Sequence, residues 1–236
     1  MKTTLKLLTL FVAAVVLLAG SAMAGTITSY SGQDDGASTS GPWPNSSAAQ
    51  SAFLTAAGST TLIDFESQAL GFYSPIVVGP VSITLNAPNY GSSFSGIGNA
   101  NQGNLYAFNT TSGGSQWLGF PGGSATFNFA SPVSSFGFWI TGIQTVFTTE
   151  FTVTFNDGTD QTLNIPINVN GGAQYFGFTD AGGTTSAITI TNLSDDAWGI
   201  DDVRYGSSSV PEPGTLVMFG SGLLGLASIA RRKFNV

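Results

Sequence analysis

The chain contains no cysteine and no histidine among its 236 residues. Without cysteine it can form neither a disulfide nor a thiolate metal site, and it has no thiol nucleophile. Without histidine a Ser-His-Asp triad is excluded, and a zinc hydrolase would depend on carboxylates alone. The fold must therefore be stabilised by burial of apolar groups, helped at most by a hard cation such as Ca²⁺.

Positive charge is almost absent from the middle of the chain. Residues 25–209 contain a single basic residue, Arg204, because the other five lie near the two termini. The same residues hold twelve of the thirteen acids, so their net charge is −11. Such a surface repels phosphate backbones, which excludes nucleic acid as a partner, and it tolerates cations. The absence of lysine also excludes lysine-based catalysis there.

The first 24 residues have the composition of a secretory signal peptide. Lys2 and Lys6 precede an apolar run over residues 7–20, and Ala22 and Ala24 form an A-x-A cleavage site. We expect cleavage after Ala24, and an uncleaved N-terminal anchor is the alternative.

The last 27 residues, 210–236, combine three features in a fixed order. Pro211-Glu212-Pro213 is held extended by its two prolines, so it is predicted to be exposed. Residues 214–230 carry no charge and would form a helix about 25 Å long, which is at the short end of what spans a bilayer. The basic residues that follow are predicted to fix this end in the cytoplasm; they are Arg231, Arg232 and Lys233.

These three features resemble the PEP-CTERM sorting signal of Gram-negative bacteria. In that family a membrane protease of the exosortase type acts near the Pro-Glu-Pro element. The same segment is also called the ice-binding protein C-terminal domain, a label that does not imply ice binding by the body. The resemblance implies export through the inner membrane, anchoring by the C-terminal helix, and then release to the cell surface, biofilm or extracellular matrix. An ordinary membrane anchor is the alternative.

Residues 25–59 are predicted to form an N-terminal arm with one short helix. Residues 26–46 are rich in Ser, Gly, Asp and Asn, which predicts an extended or loop-rich segment. Residues 47–57 predict a helix with a serine cap, Ser46 or Ser47, and with Phe53 facing inward. Gly58 is expected to end it.

Residues 60–209 predict an all-β domain. Apolar and polar residues alternate in short segments separated by turns, which is typical of half-buried antiparallel strands. About ten or eleven such segments favour a two-sheet antiparallel sandwich, with a jelly roll as the best interpretation. Residues 156–159 predict a hairpin turn, and Pro166 inside the return strand 161–169 favours an edge position or a bulge at the proline. The other segments cover residues 61–66, 81–86, 104–108, 116–120, 124–129, 136–140, 151–155, 174–179, 187–192 and 198–205.

A calcium site is predicted between the first and last β-segments. These strands commonly lie side by side in a jelly roll, so their acids and backbone carbonyls could meet around Ca²⁺. The body resembles the exported domains often found ahead of this tail and, more loosely, sugar-binding jelly rolls with a structural calcium. That resemblance puts Glu66 and either Asp201 or Asp202 at the ion. The alternative is that the two aspartates only cap a turn or pair with Arg204.

Two further features bear on function. Exposed aromatic rings stack on sugars, and Trp117 and Trp139 are the main candidates, with Tyr106 among the others; the alternative is that these rings belong to the core. We therefore predict a non-catalytic carbohydrate-binding or adhesion module. One alternative is a glucanase-like glycoside hydrolase that uses Glu66 with Asp64 or Glu150. A structural matrix protein without a ligand is another.

Overall fold

The computed structural model describes residues 26–86, 96–144, 149–154, 160–166 and 168–207. Within these ranges the chain forms one α-helix and eleven β-strands. The helix, α1, is Pro44–Ala57. The strands are β1 Thr26–Asp35, β2 Thr61–Ile63, β3 Ile76–Val78, β4 Val81–Asn86, β5 Gly96–Gly98, β6 Trp117–Val133, β7 Ser135–Thr141, β8 Thr149–Thr154, β9 Asp160–Asn164, β10 Gly172–Ala181 and β11 Thr185–Gly206.

The strands form two antiparallel sheets that face each other. Sheet I runs in the order β1, β10, β7 and the second half of β11, which is followed by β2 and the first half of β6, with β5 beside β6. Sheet II runs in the order β3, β4, the second half of β6, the first half of β11, β8 and β9. The predicted two-sheet antiparallel sandwich is therefore confirmed, and the finer jelly-roll assignment stays a prediction.

Strands β6 and β11 belong to both sheets because each bends where the sheets meet. In β6 the bend lies at Gly122 and Gly123, whose φ angles of 74° and 77° favour glycine. In β11 the bend lies between Asn192, which pairs with Gly123, and Ala197, which pairs with Pro121. The sequence predicted a separate strand on each side of both bends, since glycine pairs and acidic pairs are typical of turns. The continuous strands instead carry the backbone from one sheet to the other.

Aromatic rings fill the space between the sheets. Phe127 of sheet II meets Phe136 of sheet I with 5.2 Å between the ring centroids, and Phe136 lies 5.6 Å from Phe138. All three side chains are fully buried. The alternation along β7 that predicted one apolar face is therefore the alternation that builds this core.

The outer face of sheet I is covered by helix α1 and forms a second, smaller core. Phe53 of the helix is fully buried and packs 5.8 Å from the ring of Tyr175 and 6.0 Å from that of Tyr30. Trp139 lies in the same cluster, because it alternates out of phase with the core-facing residues of β7. The inward orientation predicted for Phe53 is confirmed.

The predicted N-terminal arm is part of the sandwich. Residues 26–35 are extended, as expected, and pair along their whole length with β10 as the edge of sheet I. Helix α1 begins at Pro44, three residues before the predicted start, because proline fits the first turn of a helix. Gly58 ends the helix with a φ of 70°, as predicted.

The predicted serine cap of α1 is wrong, because the capping group is a side chain of strand β1. The N-cap residue is Trp43, which makes no side-chain cap hydrogen bond. The Asp34 carboxylate of β1 instead accepts the N–H groups of Asn45 at 3.1 Å and Ser46 at 2.9 Å. Ser46 itself donates its hydroxyl to Asp34 at 2.7 Å. A carboxylate at a helix N-terminus also interacts favourably with the helix dipole.

We expect the Asp34→Ala substitution to lower the free energy of unfolding by about 2 kcal/mol, since it removes a cap and leaves buried donors unpaired. Urea denaturation followed by circular dichroism measures this loss. The neighbouring Asp35→Ala variant is the control, because Asp35 is exposed and caps residues 169–170 instead. An equal loss in both variants would contradict the capping role.

Two further predictions about the strands have different outcomes. Residues 104–108 are not a strand; they form a loop in which the Tyr106 N–H donates to the Gly103 carbonyl at 3.1 Å. Strands β8 and β9 pair antiparallel as the hairpin signal predicts, and its turn lies outside the described residues. Among the described strands β9 pairs with β8 alone, so the edge position is confirmed. Pro166 follows the end of β9 at Asn164.

Candidate functional site

The predicted cation ligands come together where β2 lies beside the end of β11. Ile63 pairs with Val203, so the residues that follow β2 lie next to the residues that precede Val203. The first and last predicted β-segments therefore lie side by side, as expected. We call this cluster the acidic junction, and it comprises Asp64, Glu66, Asp201 and Asp202.

A β-bulge in β11 separates the roles of the two aspartates. Its pairing with β7 passes from Asp201 opposite Trp139 to Arg204 opposite Gly137, so one extra residue is inserted. Asp202, at a φ of 45°, occupies this irregular position. The insertion changes the alternation, and Val203 consequently faces the core. Of the described residues other than glycine, Phe65 and Asp202 have positive φ, and both lie in this region.

Asp201 fastens the loop of residues 109–116 to sheet I. Its carboxylate is fully buried and accepts the N–H groups of Thr110 at 2.7 Å and Thr111 at 3.2 Å. It also accepts the N–H of Asp202 at 2.8 Å. Burial and the charge of Asp202 raise the pKa of Asp201 to about 7, although the donors of Thr110 and Asp202 act in the opposite direction.

Glu66 holds the other end of the same loop. One of its carboxylate oxygens accepts the N–H groups of Ser115 and Gln116, both at 2.8 Å. The Gln116 side chain returns a hydrogen bond to the Glu66 carbonyl at 3.2 Å. Asp64 accepts the Glu66 N–H at 3.2 Å and so shapes the turn after β2. Two carboxylates therefore hold the two ends of one loop.

The remaining charges of the junction act on one another at longer range. Burial raises the pKa of Asp202, and the charges of Asp64 and Glu66 raise it further, while a hydrogen bond from Thr111 and the nearby Arg204 lower it. Burial also raises the pKa of the Tyr175 hydroxyl, with Arg204 opposing and Asp202 adding to the shift. The net negative charge left beside Asp202 favours a cation over an anion.

Calcium at the acidic junction stays a prediction. Across the described ranges, no group of three His, Cys, Asp or Glu side chains is arranged so that it could hold a metal ion. The Asp201 carboxylate and the bonded oxygen of Glu66 already accept N–H groups from the loop. The alternative from the sequence was that the two aspartates cap a turn or pair with Arg204, whereas Asp201 binds the N–H groups of Thr110 and Thr111 in a distant loop.

The raised pKa values imply a pH dependence of stability. An ordinary aspartate has a pKa of 3.8, whereas burial raises the pKa of Asp201 to about 7 and that of Asp196 to about 6. The folded chain therefore keeps protons that the unfolded chain has released. We expect the free energy of unfolding to be highest below about pH 4 and to fall as the pH rises towards 7, by about 1.4 kcal/mol per pH unit for each extra proton bound.

Urea denaturation in buffers from pH 4 to pH 8 measures this slope. The Asp201→Asn variant cannot ionise at this position, so its slope should be smaller by about one proton. An identical slope in the variant and the parent chain would contradict the assignment to Asp201.

The two tryptophans predicted to bind sugar are both buried. Trp117 is 2 % exposed and Trp139 is 4 % exposed, so neither presents a ring face to solvent. Trp139 packs against Tyr175 and Trp43 under helix α1. The alternative from the sequence, in which these rings belong to the core, is therefore confirmed for both tryptophans.

Three of the exposed large apolar side chains lie in two neighbouring loops at the end of the sandwich opposite Thr26 and Gly206. Leu105 is 39 % exposed, Tyr106 is 44 % exposed and Val169 is 45 % exposed. Asn104 joins the two loops through a hydrogen bond from its side chain to the Asn170 carbonyl at 3.4 Å. We call these five residues the loop-end surface. The sequence singled out Tyr106 and Asn104 as candidates for glycan contact, whereas Leu105 and Val169 gave no periodic signal because each is an isolated apolar residue in a loop.

The remaining predicted functional residues lie outside the described residues. They are the signal-cleavage residues Ala22 and Ala24 and the sorting-signal residues Pro211, Glu212, Pro213, Arg231 and Arg232. In the part of the chain that is described, no helix has the length and apolar character needed to cross a membrane.

The fold and its contacts define a β-sandwich body whose acidic side chains organise loops, followed by a C-terminal segment of different composition. Residues 209–233 of that segment match the family model of the PEP-CTERM protein-sorting motif. The predicted sorting signal is thus confirmed, and it implies that the protein is exported and sorted by a membrane protein, exosortase. A search of curated proteins gave no match to the chain.

Proposed function

We propose that the sorted body is a non-catalytic carbohydrate-binding module at the cell surface or in exopolysaccharide. The observation that carries the proposal is the contrast between its acids and its exposed apolar side chains. Asp64, Glu66 and Asp201 of the junction are engaged by backbone donors, whereas the loop-end surface exposes an aromatic ring and two aliphatic side chains to solvent.

The positions of the acids support a role other than glycoside hydrolysis. A glycosidase needs two carboxyl groups on either side of one bond. Glu66 follows β2 in sheet I and accepts two backbone N–H groups. Glu150 lies on β8, opposite Thr191 in sheet II. Asp64 is engaged in the turn with Glu66. This arrangement favours a binding module over the glucanase-like alternative.

The loop-end surface is held in place by backbone hydrogen bonds, which suits recognition of a sugar. The Gly172 N–H donates to the Asn104 carbonyl at 2.5 Å, and the Gly142 N–H donates to the Gly172 carbonyl at 2.9 Å. Gln144 donates its side-chain amide to the Val169 carbonyl at 3.3 Å. A preorganised surface loses little conformational entropy on binding, and an aromatic ring beside amides can stack on a pyranose and hydrogen-bond its hydroxyls.

A glycan array and co-sedimentation with exopolysaccharide from the producing cells test the proposal. We expect the exported protein to bind, and the Tyr106→Ala variant to bind at least about tenfold more weakly, which corresponds to about 1.4 kcal/mol. The Phe72→Ala variant is the matched control, because Phe72 is 45 % exposed but lies beside β5. Equal binding by both variants, or no retention of any glycan, would contradict the proposal.

A further inference from the structure

Both ends of the described body leave the sandwich at one end. Thr26 starts β1 opposite Ala181, and Gly206 ends β11 opposite Ser135. Strands β1, β10, β7 and β11 are consecutive neighbours in sheet I, so three inter-strand steps of about 4.8 Å separate the two ends, which is about 15 Å. We call this end of the sandwich the base. The segment before Thr26 is predicted to direct export, so both membrane-directed segments extend from the base.

Hydrogen bonds hold the end of strand β11 and the next residue, Ser207, against the sandwich. The Gly206 carbonyl accepts the Ser134 N–H at 2.9 Å and the Ser135 hydroxyl at 3.0 Å. Ser207 donates its hydroxyl to the Pro132 carbonyl at 2.7 Å. Tyr205 is buried against Phe129, 5.3 Å between ring centroids. The folded surface therefore reaches Ser207, two residues before the sorting motif begins at residue 209.

This position limits how far the sorting peptide can lie from the body. Five residue steps separate Ser207 from Glu212, and a fully extended chain covers about 18 Å over that span. A folded domain of only about 100 residues has a radius of gyration of about 13 Å. Such a domain is more than about 26 Å across, which is wider than the roughly 18 Å that the connection can span, so a protease domain that encloses Glu212 lies against the base.

Part of the base is uncharged, although Asp180 near the end of β10 also lies at this end of the sandwich. A pocket there is lined by residues of which none is charged. Exposed hydroxyl and apolar residues form its rim, among them Ser59, Pro80 and Ser131. Residues 25–209 as a whole carry a net charge of −11. The rim of this pocket is therefore a part of the base that a membrane protein can approach without repulsion from a carboxylate in the pocket lining.

We propose that the base, formed around Ser59, Pro80, Ser131 and Ser207, contacts the membrane-embedded sorting protease while the tail is bound for cleavage. The partner is thus the protease, because the short connection places its substrate peptide directly against the folded body. The proposal rests on the sorting motif and is independent of glycan binding, so the two can fail separately.

The absence of cysteine makes this proposal testable by site-specific cross-linking in the full-length chain. Ser59→Cys and Ser131→Cys place a single thiol on the base, and Ser40→Cys places one in the loop that follows β1 at the opposite end. Each chain is expressed, labelled at its thiol with a short maleimide photo-cross-linker, and then combined with membranes that contain exosortase. All three positions are exposed, so the variants leave the core unchanged.

We expect protease adducts from the two base positions at a yield at least tenfold above that from Ser40→Cys. Inserting about 20 Gly and Ser residues after Ser207 adds roughly 25 Å of average reach and should reduce the adduct yield at least tenfold while cleavage continues. Equal yields from both ends, adducts with lipid alone, or a yield unchanged by the insertion would overturn the proposal.

Discussion

The Asp201→Ala variant is expected to lose at least about 3 kcal/mol of unfolding free energy at pH 5. The backbone N–H groups of Thr110 and Asp202 lose their acceptor in this variant, and the Thr111 N–H keeps only the Asn109 side-chain oxygen, at 3.3 Å. Leaving a buried donor unpaired costs about 1–3 kcal/mol per group, and the bonds in the part-buried loop lie at the lower end of that range. Urea denaturation at pH 5 measures the loss.

The size of this loss should depend on pH in a defined direction. The parent chain loses stability as the pH rises towards 7, because burial raises the pKa of Asp201 to about 7. The alanine variant has no carboxyl group at this position and so lacks this part of the dependence. The difference between the two chains should therefore be largest at pH 4–5 and smaller at pH 8.

Asp64→Ala provides the control for this experiment. Asp64 belongs to the same junction but accepts one described hydrogen bond, at 3.2 Å, and is only half-buried. We expect it to cost about 1 kcal/mol or less. Hydrogen exchange at Thr110 and Thr111 should accelerate in Asp201→Ala and stay unchanged in Asp64→Ala. Similar losses in both variants would show that Asp201 does not fasten the loop.

The local pattern of the sequence predicted the secondary structure and the sheets well. Period-two alternation along β4 and along residues 124–129 of β6 arises from one buried face, so it is visible without tertiary information. Gly58 and Phe53 likewise have local signatures, one as a helix end and the other on an apolar helix face. The connection between the first and last segments was predicted from the general arrangement of sandwich strands.

What the sequence did not reveal depends on contacts between distant residues. Asp34 caps a helix that begins ten residues later, and Asp201 accepts donors from residues 110 and 111. An aspartate that serves a remote loop has the same local context as one that closes its own turn. The burial of Trp117, whose ring lies beside Gly98 of β5, likewise depends on a contact between distant residues. Periodicity predicts faces, but it does not predict which segment covers them.

The loop that carries Tyr106 depends on a glycine at one close approach. Gly142 has a φ of 77°, and a Cβ atom added to it would lie 2.1 Å from the Tyr106 carbonyl oxygen. We expect Gly142→Ala to displace the loop that bears Leu105 and Tyr106. The cost combines the unfavourable φ, about 1 kcal/mol, with the disruption of backbone contacts, and should reach about 3 kcal/mol in total. Binding of any glycan at the loop-end surface should weaken at least about tenfold in the same variant.

Gly113→Ala distinguishes the steric overlap of the added Cβ from the cost of the positive φ angle. Gly113 has a φ of 78°, nearly the same as Gly142, but no atom lies within 4 Å of an added Cβ. The control should therefore lose only about 1 kcal/mol and retain binding. Urea denaturation and glycan co-sedimentation of both variants give the comparison. If Gly142→Ala is no less stable than Gly113→Ala and still binds, the loop does not depend on this contact; if it is less stable but still binds, the sugar is recognised elsewhere on the body.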